Sequence, residues 1–284
     1  MVRKICIINQ KGGVGKTTTA VNIAAGLSRH DRKVLLIDFD AQGNISTSLS
    51  LDGENEIGHI LTENADIQQS TKYLGRNLDL IPSRETLSMT ELKLSALPNK
   101  EFVMKEKLND LKDYNYVIID CPPSLGVLNQ NALLYACEAF IPVSTDYLGY
   151  DALLKMIKVI ETINSRFSHK IKITKVIPTL YDKRNKTCKV YLDKISNQFY
   201  ELATDPIRIN SKLKEAPEHG KSIFSYASGS RGAQDYQKLI KQILNEEKQV
   251  LSEYPEESVA EELVPLNTPE GLKEFKKKGN PAKV

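Results

Sequence analysis

The sequence predicts an α/β fold: a doubly wound, mostly parallel sheet flanked by helices. Three observations carry this. Short apolar runs rich in Ile and Val recur along the chain, the best of them without polar alternation, as strands covered on both faces read. Longer stretches of helical period separate them, so that strand, helix and strand repeat as units. The first run passes through a glycine-rich turn directly into a helical stretch, and ligands of such sheets bind at the carboxyl ends of the strands.

The expected strands lie at 4–9 (KICIIN), 33–38 (KVLLID), 78–83 (LDLIPS), 116–120 (YVIID), 139–144 (AFIPVS) and 172–178 (KITKVIP). Between them run helical stretches such as TTTAVNIAAGLSRH and ALLKMIKVIETINSRF. In the second of these, apolar residues at 153, 156, 157, 160 and 163 mark one face. The units form one domain over residues 1–245. Residues 246–284, with scattered prolines, an acidic stretch and a final KKK, read as a flexible or partner-docked extension.

A chain of 284 residues with 40% hydrophobic and 26% charged residues is neither collagen-like, mucin-like nor wholly disordered. No apolar run approaches the ~18–20 residues needed to cross a bilayer. The start, MVRKICIINQKGG, carries too short an apolar run for a signal peptide. Cys6, Cys121, Cys137 and Cys188 form no C-x-x-C pair, which speaks against zinc or disulfides and for a reducing cytoplasm. The net charge of +3 says little, but its distribution is uneven. Residues 166–221 hold thirteen Lys/Arg against six Asp/Glu, a surface that either meets a polyanion or is simply solvated.

The first strand ends at Asn9, and Gln10-Lys11-Gly12-Gly13-Val14-Gly15-Lys16-Thr17-Thr18 follows before a helix begins. Strand, glycine-rich turn and helix N-terminus are the context a phosphate loop requires. Glycines let the backbone approach a ligand closely, and the N–H groups of the turn and first helical turn hold phosphate oxygens. Lys16 supplies a point charge at the β- and γ-phosphates, and the Thr17 hydroxyl is placed for Mg²⁺. The nucleotide-binding set of the loop is thus Gly12, Gly13, Val14, Gly15, Lys16, Thr17 and Thr18. The apolar run 116–120 ends in Asp120, a Walker B arrangement in which Asp120 holds Mg²⁺ through water.

The loop departs from G-x-x-x-x-G-K-[ST]: Gln10 occupies the first glycine position, and a second lysine, Lys11, precedes the double glycine. This K-G-G-V-G-K-T form, together with VIIDCPPS, VIPTLYDKRNK and INSKLKEAPEHGKSIFSYASGSRGAQDYQKL, resembles the ParA/Soj partition ATPases of the deviant Walker A (ParA/MinD) family over residues 2–245. The resemblance implies that Lys11 reaches across an ATP-dependent homodimer to the partner's phosphates. It implies that Asp40, in D-F-D-A-Q-G-N, orients the attacking water and that Asp38 supports the metal from its outer shell, provided strand two neighbours the phosphate-loop strand. Thr179 and Asp182 are placed near the adenine. Ser144 and Asp146 stand where the family has Gln and Glu, and Ile207-Arg208-Ile209-Asn210 lacks the family's proline. Arg184 and Lys212, with Lys183, Lys186, Lys189, Lys214 and Lys221, are the implied contacts to double-stranded DNA, made without sequence readout.

The expected function is a DNA-segregation ATPase, slow without a partner. It dimerises on ATP, coats the nucleoid, and hydrolyses ATP when a ParB-like centromere-binding protein stimulates it. It is expected in the cytoplasm on the nucleoid and not on membranes, because GLKEFKKKG is short and mostly polar beside the amphipathic helix that ends MinD-like proteins. With the phosphate loop starting at residue 10, no helix-turn-helix precedes it, so autorepression by this chain alone is not expected. The alternatives are a MinD-like or nucleoid-based positioning ATPase for a protein cargo, and an ATP-dependent small-molecule synthetase.

Overall fold

Seven strands form one sheet in the order β3-β4-β2-β5-β1-β6-β7. They are β1 (Arg3–Ile7), β2 (Val34–Asp38), β3 (Lys72–Gly75), β4 (Leu78–Ile81), β5 (Tyr116–Asp120), β6 (Glu138–Ser144) and β7 (Lys172–Thr179). This architecture comes from a computed structural model that describes residues 2–51, 55–109 and 111–247. From residue 248 onward, the expected extension lies outside the described residues.

All pairings are parallel except β3 with β4. The six expected strands are present. The edge strand β3 had no sequence signal, because its four residues, KYLG, are only partly buried or exposed and carry no apolar run. The antiparallel edge makes the sheet mixed, as is common in doubly wound folds.

One premise is corrected. Strand β2 does not neighbour β1, because β5 lies between them. Ile7 is in register with Asp120, and Asp120 with Asp38. Three strand ends therefore line up, with Asp120 in the middle.

The helices are α1 (Lys16–Ser28), α2 (Asn44–Ser48), α3 (Ile57–Glu63), α4 (Ile67–Ser70), α5 (Leu87–Ser95), α6 (Val103–Lys107), α7 (Val127–Tyr135), α8 (Tyr147–Phe167), α9 (Lys186–Gln198), α10 (Ser211–Glu215), α11 (Ile223–Tyr226) and α12 (Arg231–Asn245). They cover both faces of the sheet. One core joins Cys6, Ile8, Leu35, Ile37, Val117 and Ile119 to the inner faces of α7 and α8. The other joins Ile5, Ile7, Val34, Leu36 and Ile118 to α1 and α12. In α12, Ala233, Tyr236, Leu239, Ile240 and Ile243 repeat at helical spacing and are buried. Each buried Leu or Ile among them contributes about 1.5–3 kcal/mol.

At the amino ends of the strands, Arg3 donates from Nε and Nη2 to Glu138, both at 2.7 Å. Thr174 Oγ1 donates to the same carboxylate at 2.9 Å, and Arg3 Nη1 donates to the Ile243 carbonyl at 3.1 Å. This buried pair ties the end of α12 to the sheet and leaves the carboxyl ends of the strands to the site.

Candidate functional site

The glycine-rich loop leaves β1 as an open cradle. Gly13 and Gly15 have φ of +71° and +90°, values that favour glycine. A Cβ built at Gly12, Gly13 or Gly15 would meet nothing within 4 Å, so the space above the loop is clear. Helix α1 begins at Lys16 with no side-chain cap, which leaves its first N–H groups available to an anion.

Lys16 is almost fully buried, and its Nζ donates to the Lys11 carbonyl at 3.3 Å. Burial lowers its pKa, opposed by the nearby Asp120, Cys121 and Asp40. Asp120 is buried; its carboxylate oxygens accept no well-formed hydrogen bond, and the Thr17 hydroxyl faces them. Burial, then the charge of Asp38, pushes its carboxyl well above the usual range, opposed first by the Thr17 hydroxyl and then by Lys16. Ionising so buried a carboxyl beside Asp38 is costly, and a cation bound there would offset that cost. With the Thr17 hydroxyl at the start of α1, Asp120 makes a hard oxygen donor set that suits Mg²⁺ with retained waters.

Asp38 is spent differently. Its two oxygens accept the backbone N–H groups of Asp40 at 3.2 Å and Ile45 at 3.3 Å. It therefore holds the turn between β2 and α2. Burial pushes its carboxyl up to about 6, partly offset by these bonds. Asp40 is half-buried, its Oδ1 accepting from Gln42 N–H at 3.0 Å and its carbonyl from Ser83 Oγ at 2.6 Å. The loop after β4 thus steadies Asp40. Cys121 is fully buried, a packing residue.

Lys11 is held within its own chain. Its Nζ donates to Asp146 Oδ1 at 2.8 Å and Oδ2 at 3.0 Å, and to Ser144 Oγ at 2.9 Å. Burial works to raise the Asp146 carboxyl, but hydrogen bonds from Lys11, Ser144 and the Gly149 N–H bring it below the usual range. Both side chains remain partly exposed, at 27% and 44%. Such a pair is weak, so the lysine is easily released.

Thr179 and Asp182 sit on the β7 side of the loop. Thr179 is buried, and its Oγ1 donates to the Val14 carbonyl at 2.8 Å. Asp182 accepts two bonds from the Arg184 side chain, at 3.0 and 2.8 Å, and this guanidinium holds its carboxyl down at about 2.

The two basic blocks, distant in sequence, meet in space. Tyr181 N–H bonds to the Ile207 carbonyl at 3.2 Å, and Ile209 N–H to the Tyr181 carbonyl at 3.0 Å. Lys183, Arg184, Lys186, Lys189, Lys212, Lys214 and Lys221 are all exposed. The two leading candidates already hold acidic neighbours: Arg184 pairs with Asp182 and Lys212 with Glu215, at 2.8 and 2.7 Å.

Sequence reasoning missed two residues of the site. Asn9, fully buried, donates from Nδ2 to the Pro142 carbonyl at 2.7 Å and accepts Lys11 N–H at 2.9 Å. Asn129 donates from Nδ2 to the carbonyls of Pro122 (3.0 Å) and Ser124, bracing the segment after Asp120. A buried amide inside the apolar helix VLNQNALLY was the available hint.

Comparison with known proteins agrees with this geometry. An AAA-domain family model matches residues 2–173. The chromosome-partitioning ATPase Soj of Treponema pallidum is 35% identical over 247 residues, covering 86% of this chain and 98% of that protein. A putative plasmid partition protein of Borrelia burgdorferi, solved with AMPPNP, superposes with a TM-score of 0.75 at 28% identity, over 87% of this chain and all of that one. Cobyrinic acid a,c-diamide synthase of Mycobacterium smegmatis, solved with ADP and magnesium, superposes with a TM-score of 0.76 at 28% identity, over 88% of this chain and 97% of that one. With its open phosphate cradle and its extensive match to Soj, the chain belongs to the ParA/Soj family of partition ATPases.

Proposed function

We propose that the chain is a DNA-partition ATPase that binds ATP with Mg²⁺, dimerises on ATP, binds double-stranded DNA without reading sequence, and hydrolyses ATP when a ParB-like centromere-binding partner stimulates it. The observation that carries the reading is the buried Asp120 carboxyl beside Thr17 and Lys16 at an uncapped helix start. Magnesium bound there would neutralise charge on the triphosphate. Gly12, Gly13, Val14, Gly15, Thr17 and Thr18 offer backbone N–H groups, Lys16 a charge, and Thr17 and Asp120 oxygens toward the metal. Asp38 fixes the turn that carries Asp40, and Asp40 orients water toward the γ-phosphate. Lys11 leaves Asp146 and completes the partner's site. Catalysis by positioning and charge alone gives slow turnover until the dimer and the partner complete the geometry.

The exposed lysines and arginine of the two basic blocks are the proposed DNA surface, and binding through them would hold the protein on the nucleoid in the cytoplasm. Among the described residues no helix is long and apolar enough to cross a membrane. The test is retention of DNA with ATP, ADP or no nucleotide: retention with ATP alone, falling steeply with salt, is expected. Equal retention in all three states would refute the switch.

The likeness to the Mycobacterium smegmatis synthase favours a second reading, an ATP-dependent amidating enzyme. ATP turnover that responds to a small carboxylic acid and not to DNA would select it. Turnover stimulated by DNA and a partner would dismiss it.

A further inference from the structure

We propose that Thr179 is a positioning residue for the phosphate loop, selecting the orientation of the peptide between Val14 and Gly15. It is not an adenine contact. The inference rests on the nucleotide-binding reading above.

The C=O and N–H of a trans peptide point in opposite directions. The Val14 carbonyl is turned toward Thr179 Oγ1, 2.8 Å away, on the β7 side of the loop. The N–H of the same peptide, that of Gly15, then faces away from Thr179, and Gly15 directly precedes the uncapped start of α1. A flipped peptide would aim a carbonyl dipole at the phosphates.

The loop alone does not choose between the two orientations. Gly13 and Gly15 flank Val14 at φ of +71° and +90°, and glycine populates both signs of φ about equally. A flip of this peptide turns ψ of Val14 and φ of Gly15, and on the glycine side either sign of φ is open. Val14 is 1% exposed, so its carbonyl needs a protein donor where it lies. Thr179 is itself held rigidly. It is in register with Ser144, and its carbonyl accepts from Thr145 N at 3.2 Å and Thr145 Oγ1 at 3.4 Å. Its hydroxyl is thus a fixed donor supplied by the sheet to a loop free to flip. Asn9 serves the other shoulder, bridging Lys11 N–H to the Pro142 carbonyl.

Thr179→Val removes the donor at nearly constant volume, and Thr179→Ser keeps it. Two measurements decide the matter: amide hydrogen exchange of residues 12–17 in the nucleotide-free protein, and affinity for Mg-ATP and Mg-ADP by calorimetry. For Thr179→Val, faster loop exchange is expected, with affinity about tenfold lower for both nucleotides. For Thr179→Ser, wild-type exchange and affinity within about threefold are expected.

Weaker binding by Thr179→Val with wild-type exchange would mean a base contact and overturn the proposal. Equal losses in the Ser and Val variants would also overturn it. Should the Val variant not fold, Thr179→Ala takes its place with the same expectations. A wild-type protein that bound neither nucleotide would sink the proposed function, and the exchange comparison would still decide Thr179.

Discussion

Lys11 and Asp120 are the residues whose charges set how the site behaves before nucleotide arrives. Lys11 rests against Asp146 in a half-exposed pair worth less than about 1 kcal/mol. Replacing Lys11 by Ala should therefore leave the melting temperature almost unchanged and nucleotide binding largely intact, while partner-stimulated hydrolysis is lost. Unchanged stimulation in a coupled ATPase assay would remove the trans role.

Asp120 is the reverse case, a fully buried carboxyl whose ionisation is disfavoured by burial and by the charge of Asp38. Asp120→Asn should raise the melting temperature of the nucleotide-free protein by a few degrees. It should also abolish the further rise that Mg-ATP gives the wild type. A nucleotide-free variant less stable than wild type would show that the carboxylate is already satisfied.

The turn between β2 and α2 shows what one element does with a carboxylate. Asp38 has a folded pKa of about 6 against an ordinary 3.8, so the folded state holds the proton more tightly than the unfolded one. The sign follows: this stabilisation is fully present below 3.8 and is lost as pH rises through about 6. Nucleotide-free wild type should therefore gain stability from this group as pH falls from about 7.5 to about 5.5, and Asp38→Asn should flatten that slope in calorimetric scans.

The packing of α1 on α12 is a second property of elements. A Cβ at Gly26 would lie 2.6 Å from Cδ1 and Cγ1 of the fully buried Ile240. Ala gains about 1 kcal/mol over Gly in a helix interior, but overpacking costs about 1–3 kcal/mol. Gly26→Ala should lower stability by up to about 2 kcal/mol in urea unfolding. A stabilised variant would show that α12 can shift.

Across the whole molecule, the two ends of the sheet do different work. The carboxyl ends hold the candidate site. The amino ends are locked by Arg3 and Glu138, whose side chains are 2% and 0% exposed. Removing one partner of such a pair costs about 3–5 kcal/mol, because it strands the other charge. That is a large share of the ~5–15 kcal/mol that holds a domain folded. Glu138→Ala should destabilise the whole fold by that amount, and the double variant Arg3→Met with Glu138→Leu should recover most of it. Chemical unfolding of the three proteins checks this, and a double variant no better than the single one would assign the loss to packing.

Much of this protein was legible in its sequence because local physics carried it. Apolar runs without alternation placed six strands, and strand, glycines and helix start placed Lys16, Thr17 and the cradle. Asp120 was readable as the polar end of an apolar run. The edge strand β3 was not, since four half-exposed residues carry no hydrophobic signal.

Tertiary structure alone decided which residues meet. It put β5 between β1 and β2, so that Asp120 and not Asp38 lies beside the phosphate-loop strand. It brought Thr179 to Val14 across 165 positions of chain and Lys11 to Asp146 across 135. It joined the two basic blocks through Tyr181 and Ile209. A sequence records what each residue can do over a turn or a strand; strand order and register set the distances between residues far apart in the chain, and hydrogen bonds and charge pairs act only over a few ångströms.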